Sequence, residues 1–257
     1  MASPRRRVNV GDPRYVEGTI KDVVYDRAAV AAPVADRARR LGRAGLGAAQ
    51  IASVLPAAPL LRHWYNRWGA SREEAERSLP GDERVPRPQM SSTRAITIDA
   101  PPTEVWPWLA QIGQGRGGFY SYDELENLVG CDIHSTDQIL AEFQRVAVGD
   151  VVRLAAKGGP SYRVDRVQPP DLLVLAAGST DPTAAESEPT DSVEFAATWQ
   201  WLLQPVSEGA RTRLVVRQRF RYPRPQSIMW HLVEPVNFVM ERRMLYGMKS
   251  RAEVGAK

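Results

Sequence analysis

The feature that most restricts the fold is a pair of long alternating segments followed by one long helical pattern. Glu194 to Gln204 puts Phe195, Ala197, Trp199, Trp201 and Leu203 on one side and Ala196, Thr198, Gln200 and Gln204 on the other. Arg211 to Tyr222 repeats the device, with Leu214, Val216, Gln218, Phe220 and Tyr222 opposed to Arg213, Arg217, Arg219 and Arg221. A period of two marks strands with one buried and one solvated face, and the short connection makes the pair antiparallel. From Pro225 to Glu253 the period changes. Met229, Val233, Val236, Met240, Met244 and Gly247 recur at helical spacing, with Pro235 inside, where a kink is expected. A half-apolar sheet and an apolar-striped helix have to bury each other. A curved sheet on a helix leaves a cavity wherever side chains do not fill it. Four of the six methionines lie in this helix, and their flexible thioethers suit an adaptable wall.

Further strands are expected at Val151 to Ala155, Tyr162 to Val167 and Leu172 to Ala177. Residues 178 to 193, GSTDPTAAESEPTDSV, form a polar, net acidic loop too long for an ordinary hairpin, which predicts a lid or an excursion. Upstream, Thr93 to Ile98 alternates as a strand. Asp99, Pro101 and Pro102 then read as a helix start, with Asp99 as N-cap. Val105, Leu109 and Ile112 carry that helix beside Trp106 and Trp108, a glycine cluster ends it, and a second short helix begins near Tyr122.

The first 90 residues read as a basic, helical extension and connector. Residues 1 to 43 hold nine arginines and Lys21 against five acids, with Arg5, Arg6 and Arg7 consecutive. Their start is expected to be flexible and Asp26 to Arg43 helical. Residues 44 to 61 carry no charge, but Gln50, Pro56 and Pro59 interrupt the apolar run, so a helix packed on the domain or lying on a surface is expected. Ser71 to Glu74 fits a capping box that opens a short helix. Leu79 to Met90, with three prolines, is an extended connector, and the domain boundary is placed there. A basic flank beside an apolar helix also suits peripheral contact with an anionic membrane.

The 93–134 stretch carries a resemblance. Trp106-Pro107-Trp108-Leu109, Gly115-Arg116-Gly117-Gly118-Phe119-Tyr120-Ser121-Tyr122-Asp123 and Leu125-Glu126-Asn127 resemble a run in a bacterial branch of the SRPBCC superfamily. These are START-like, birch-pollen-allergen-like helix-grip proteins, often labelled polyketide cyclase-like. The likeness covers roughly Trp68 to the C-terminus. It implies an α+β helix-grip domain over residues 91–257, a curved antiparallel sheet around a long C-terminal helix, holding an apolar ligand between them. The superfamily contains carriers, cyclases and regulators, so fold alone does not choose among them.

Few residues here carry chemistry. Gly113 to Gly118 matches G-x-G-x-x-G, but a dinucleotide site needs a strand before it and a parallel strand after it, and neither is expected. Arg116 in that turn suits an anionic ligand head or a salt bridge. Cys131 and His134 form C-x-x-H without a second pair, so no metal and no cofactor are expected. The single cysteine allows no internal disulfide and points to a reducing, cytoplasmic setting, with membrane association as the alternative. Thirty of the 34 basic residues are arginine, and no nucleic-acid-binding motif accompanies them, so no nucleic-acid partner is expected. The leading expectation is a small hydrophobic or amphipathic ligand, lipid- or polyketide-like. Trp199, Trp201, Phe220 and Met240 would be its walls, with Gln218 and Tyr120 as orienting groups. Gln218 is the polar residue on a greasy face and needs a buried hydrogen-bond partner. A cyclase or lyase is the alternative, with Glu126 or His134 as acid or base.

Overall fold

A computed structural model describes residues 27–156, 159–178 and 194–255, with backbone alone over 27–40. The expectations for residues 1–26 and for the loop after Gly178 lie outside the described residues. The chain divides into two compact units, Met1–Arg39 and Arg40–Lys257. In the first, the described residues are the opening turns of α1. The second holds the rest of that helix and every other element.

Six strands form one antiparallel sheet, β1 (Met90–Ile98), β2 (Val151–Arg153), β3 (Ser161–Gln168), β4 (Leu172–Gly178), β5 (Ala196–Val206) and β6 (Arg211–Arg221), in the order β1-β6-β5-β4-β3-β2. Strands β2 to β6 run as a meander, and β1 closes onto β6. The remaining elements are α1 (Arg27–Asn66), α2 (Arg72–Glu76), α3 (Pro102–Ala110), α4 (Asp123–Leu128) and α5 (Ser227–Gly255). The long α5 and α3 cover the concave face, and the main core lies between them and the sheet. The helix-grip architecture is therefore present, with the expected strands within a few residues of their places.

Strand register sets which side chains meet. Ser92 of β1, Gln218 of β6, Trp199 of β5 and Leu175 of β4 form one row across the concave face. Arg94, Val216, Trp201 and Leu173 form the next.

Several expectations are corrected. The convex face is not solvated. The connector from Gly69 to Gln89 folds across it, and Leu79 and Ala70 pack on Ala95, Val215 and Leu202. The outward arginines find their acids there. Arg213 pairs with Glu74 at 2.7 Å, and Arg217 and Arg219 meet Asp82 at 2.7 and 2.9 Å. Burial alone would raise the Asp82 carboxyl. The N–H of Leu79 with Arg219 and Arg217 outweigh that and hold it below the usual range. The capping box at Ser71 and Glu74 forms as expected. Pro101, not Asp99, is the N-cap of α3, because Asp99 is drawn to Arg211 at 2.5 Å. The helices expected over 44–61 and across Pro235 are present: α1 includes Pro56 and Pro59, and α5 includes Pro235.

The stripe on α5 is also rephased. Met244 and Gly247 of the expected stripe are buried, but Glu234, Phe238, Glu241, Leu245, Met248 and Ala252 also face inward, whereas Ile228, Met229, Leu232 and Val233 are exposed. In the first two turns Trp230 packs on Phe195, Phe220 and Tyr222, which turns Met229 and Val233 of the expected stripe outward. Gly247 fixes how close α5 lies. A Cβ there would stand 2.2 Å from the Tyr120 carbonyl oxygen, so only glycine permits the contact.

Candidate functional site

The centre of the grip holds a charged pair. Arg94 on β1 points inward with Met90 and Ile96, and its guanidinium binds the Glu241 carboxylate from α5. Their side chains are 1% and 2% exposed. The remaining donors of Arg94 reach the Tyr65 carbonyl at 2.9 Å and the Asn237 amide oxygen at 3.0 Å. Glu241 also accepts the indole N–H of Trp199 at 3.1 Å. Nearer the start of α5, buried Glu234 accepts from Arg62 at 2.8 Å, Asn66 at 2.6 Å and the Tyr65 hydroxyl. Burial, reinforced by Glu234, pushes the Tyr65 phenol up to about 12. Two buried acids of α5 thus clamp the end of α1 and the inner row of β1.

Around this pair stand aromatics. Trp199 and Trp201 have ring centroids 4.9 Å apart, and Tyr162 and Phe119 lie 5.9 and 6.2 Å from Trp199. The Tyr162 phenol is raised by burial and by Glu241. Two polar atoms in this cluster are unpaired: the amide Oε1 of Gln218, whose residue is 4% exposed, and the Nε1 of fully buried Trp201. One is an acceptor and the other a donor, on neighbouring strands.

Of the residues singled out from sequence, Trp199, Trp201 and Gln218 come together. Phe220 lies on the same face but packs on Trp230, 5.1 Å away, toward the start of α5. Tyr120 is buried, yet its hydroxyl donates to the Trp108 carbonyl at 3.0 Å, which occupies the group expected to orient a ligand. Met240 sits on the other side of α5, with Tyr122 and the inner stripe of α1. His134 is exposed and faces Asp132 at 3.0 Å. Arg116 makes no salt bridge with an acid among the described residues. It donates to the Ala110 and Phe143 carbonyls and lies over the Phe143 ring. Its glycine turn follows a helix and is closed by paired bonds between Gly113 and Gly118, which is not the setting of a phosphate cradle.

Glu126 is a second chemical feature. Burial, then Asp123 and Glu124, push its carboxyl up to about 8, and its Oε2 is buried without a partner. The Cys131 thiol nearby is raised by burial and by Glu126. Among the described residues no three His, Cys, Asp or Glu side chains gather as a metal cage requires.

Arg94, Glu241, Glu234 and Tyr162 were not singled out from the sequence. A signal existed for the acids: Glu234 and Glu241 are seven apart, on the face that carries Phe238 and Met248. An arginine at an inward strand position was a second signal.

Fold and site define a helix-grip α+β protein in which, among the described residues, the aromatic cluster under the sheet holds the Arg94–Glu241 pair and two unpaired polar atoms. No family model and no curated protein matches the chain. Loose likenesses exist among solved structures. Protein MLL2253 of Mesorhizobium loti is 17% identical over 60% of this chain and 98% of its own, with TM-score 0.30. The Aha1 dimer of Colwellia psychrerythraea is 16% identical over 65% and 98%, with TM-score 0.34. Hypothetical protein jhp0584 of Helicobacter pylori is 12% identical over 67% and 94%, with TM-score 0.39. These values are too low for any property of those proteins to pass to this chain.

Proposed function

We propose that this chain is a bacterial member of the SRPBCC superfamily that binds a small hydrophobic or amphipathic ligand, lipid- or polyketide-like, inside the grip. The observation that carries the reading is the pair of unpaired atoms, Gln218 Oε1 and Trp201 Nε1, in the aromatic cluster beside the buried Arg94–Glu241 pair. An unpaired buried polar group costs about 1–3 kcal/mol. A ligand with a hydroxyl or carbonyl head relieves that cost while its apolar body replaces ring-to-ring contacts. Because Trp199 and Trp201 pack on each other, entry requires the Trp199 ring to swing away.

The test is native mass spectrometry of the purified protein, with extraction and identification of whatever is bound. A co-purifying lipid or polyketide that is lost in Gln218→Leu supports the reading. A ligand-free mass in the wild type, with no quenching of tryptophan fluorescence by added fatty acids or aromatic polyketides, overturns it.

A second reading is a cyclase or lyase acting on such a ligand, favoured by the raised, half-free carboxyl of Glu126. It requires that the extracted ligand be turned over and that Glu126→Gln stop turnover while binding persists. Binding without any change of ligand mass removes it.

A further inference from the structure

The outer face of α1 takes no part in holding a ligand inside the grip. From Leu41 to Asn66, α1 is long and apolar enough to cross a membrane by length and composition, the one such helix among the described residues. Its inner stripe, Ile51, Val54, Ala58 and Leu61, packs on Tyr65, Tyr122, Phe238 and Val239. Its outer side leaves Leu46 56%, Leu60 88% and Trp64 53% exposed. Arg62 is tied to Glu234, so the α5 turn holding exposed Leu232 and Val233 adjoins the end of this helix.

The charge pattern says what fits there. Between Asp36 and Glu73 the chain carries seven arginines and no acid. Arg37, Arg39, Arg40 and Arg43 precede the uncharged run; Arg62, Arg67 and Arg72 follow it, with Arg62 paired to Glu234 and Arg67 and Arg72 to Glu76, so the cations before the run carry the attraction. Apolar side chains bracketed by cations, with a tryptophan at the boundary, match the layered chemistry of an anionic bilayer surface. At 1.5 Å per residue the helix would reach about 39 Å, enough for a hydrocarbon core of about 30 Å. Spanning, however, would strip the inner stripe from α5 and take the Tyr122 hydroxyl from Gln50, which it holds at 3.1 Å. Lying in the interface keeps both.

We propose that α1 docks the protein flat on an anionic lipid surface, with Leu46, Leu60 and Trp64 entering the headgroup boundary. This is independent of ligand binding in the grip. The α5 turn at Leu232 and Val233 contributes beside the end of α1.

The test is flotation of the full chain with vesicles of phosphatidylcholine alone and of equal parts phosphatidylcholine and phosphatidylglycerol. The protein floats with the anionic vesicles, weakly with the neutral ones, and alkaline carbonate releases it. The double variant Leu46→Glu/Leu60→Glu partitions at least roughly tenfold less, since each leucine carries enough apolar surface for that effect. Its melting curve stays that of the wild type, because both residues are exposed. A second variant, Arg40→Gln/Arg43→Gln, reduces binding to anionic vesicles only. Failure to float, equal flotation of the leucine variant, or resistance to carbonate would each overturn the proposal. So would a wild-type dimer, seen by sedimentation, that the leucine variant abolishes, since a second copy would then cover this face.

Discussion

Removing the Glu241 carboxylate should be among the most damaging single changes in the interior. In Glu241→Leu, Arg94 stays charged and 1% exposed, keeping only its bonds to the Tyr65 carbonyl and the Asn237 and Asn66 side chains. Trp199 loses the acceptor of its indole N–H. Breaking a buried ion pair from one side costs about 3–5 kcal/mol. The orphaned indole belongs to the same network, so its share is not added separately. Against a total stability of roughly 5–15 kcal/mol, that is a large fraction. For a domain of this size, about 2–4 °C of Tm per kcal/mol gives a fall of roughly 6–20 °C. The assay is urea and thermal unfolding, followed by tryptophan fluorescence, of wild type, Glu241→Leu, Arg94→Met and the double variant. The double variant should be more stable than Glu241→Leu alone, because no charge is left buried, with a coupling of at least about 1 kcal/mol. Additive losses, or a Glu241→Leu protein as stable as wild type, would refute the reasoning and mean that water reaches Arg94.

The packing and the charges predict three further outcomes. Gly247→Ala should lose about 1–3 kcal/mol through the clash with Tyr120, despite the better helix propensity of alanine. Gly255→Ala, with nothing within 4 Å, should be neutral or stabilising in the same thermal melts. Glu126 has a folded pKa of about 8 against an ordinary value of 4.5, so the folded state holds its proton longer. Ionisation therefore weakens the fold as pH rises from about 4.5 to about 8 and adds nothing more above that. Glu126→Gln should gain in urea midpoint over wild type across that window, and parallel profiles would show that the carboxyl is solvated. Asp82 is the opposite case, its pKa depressed, so it stabilises at neutral pH and that contribution is lost as acid protonates it. Asp82→Asn should cost about 3–5 kcal/mol near neutrality and converge on wild type as acid protonates the Asp82 carboxyl below its ordinary range.

How much of this was legible depends on where each constraint acts. The alternation at Phe195–Leu203 and Leu214–Tyr222 determined the two central strands and their buried face, because the pleat forces every second side chain to one side. The capping box at Ser71 was equally readable, since its partners are three residues apart. The burial of Gln218 on the apolar face was readable too, but its Oε1 has no partner in the structure. Period alone could not set the phase of α5. Its first turns are apolar, yet they half-bury Trp230 and leave Ile228, Met229, Leu232 and Val233 exposed, while two acids, Glu234 and Glu241, occupy inward positions through Arg62 and Arg94, more than 100 residues away in sequence. That displaced Met240 from the grip to the α1 side. The solvated reading of the convex face failed for the same reason. Arg213, Arg217 and Arg219 look solvated until the connector returns with Glu74 and Asp82, a contact spanning more than 130 residues. Local sequence determined strands, the Ser71 cap and the chemical inventory, while the cap of α3 moved from Asp99 to Pro101. Which groups are desolvated together, and therefore which charges pair, which phenols and carboxyls shift and which polar atoms stay unpaired, was decided only when distant segments packed, because burial belongs to the assembled fold and not to any one segment.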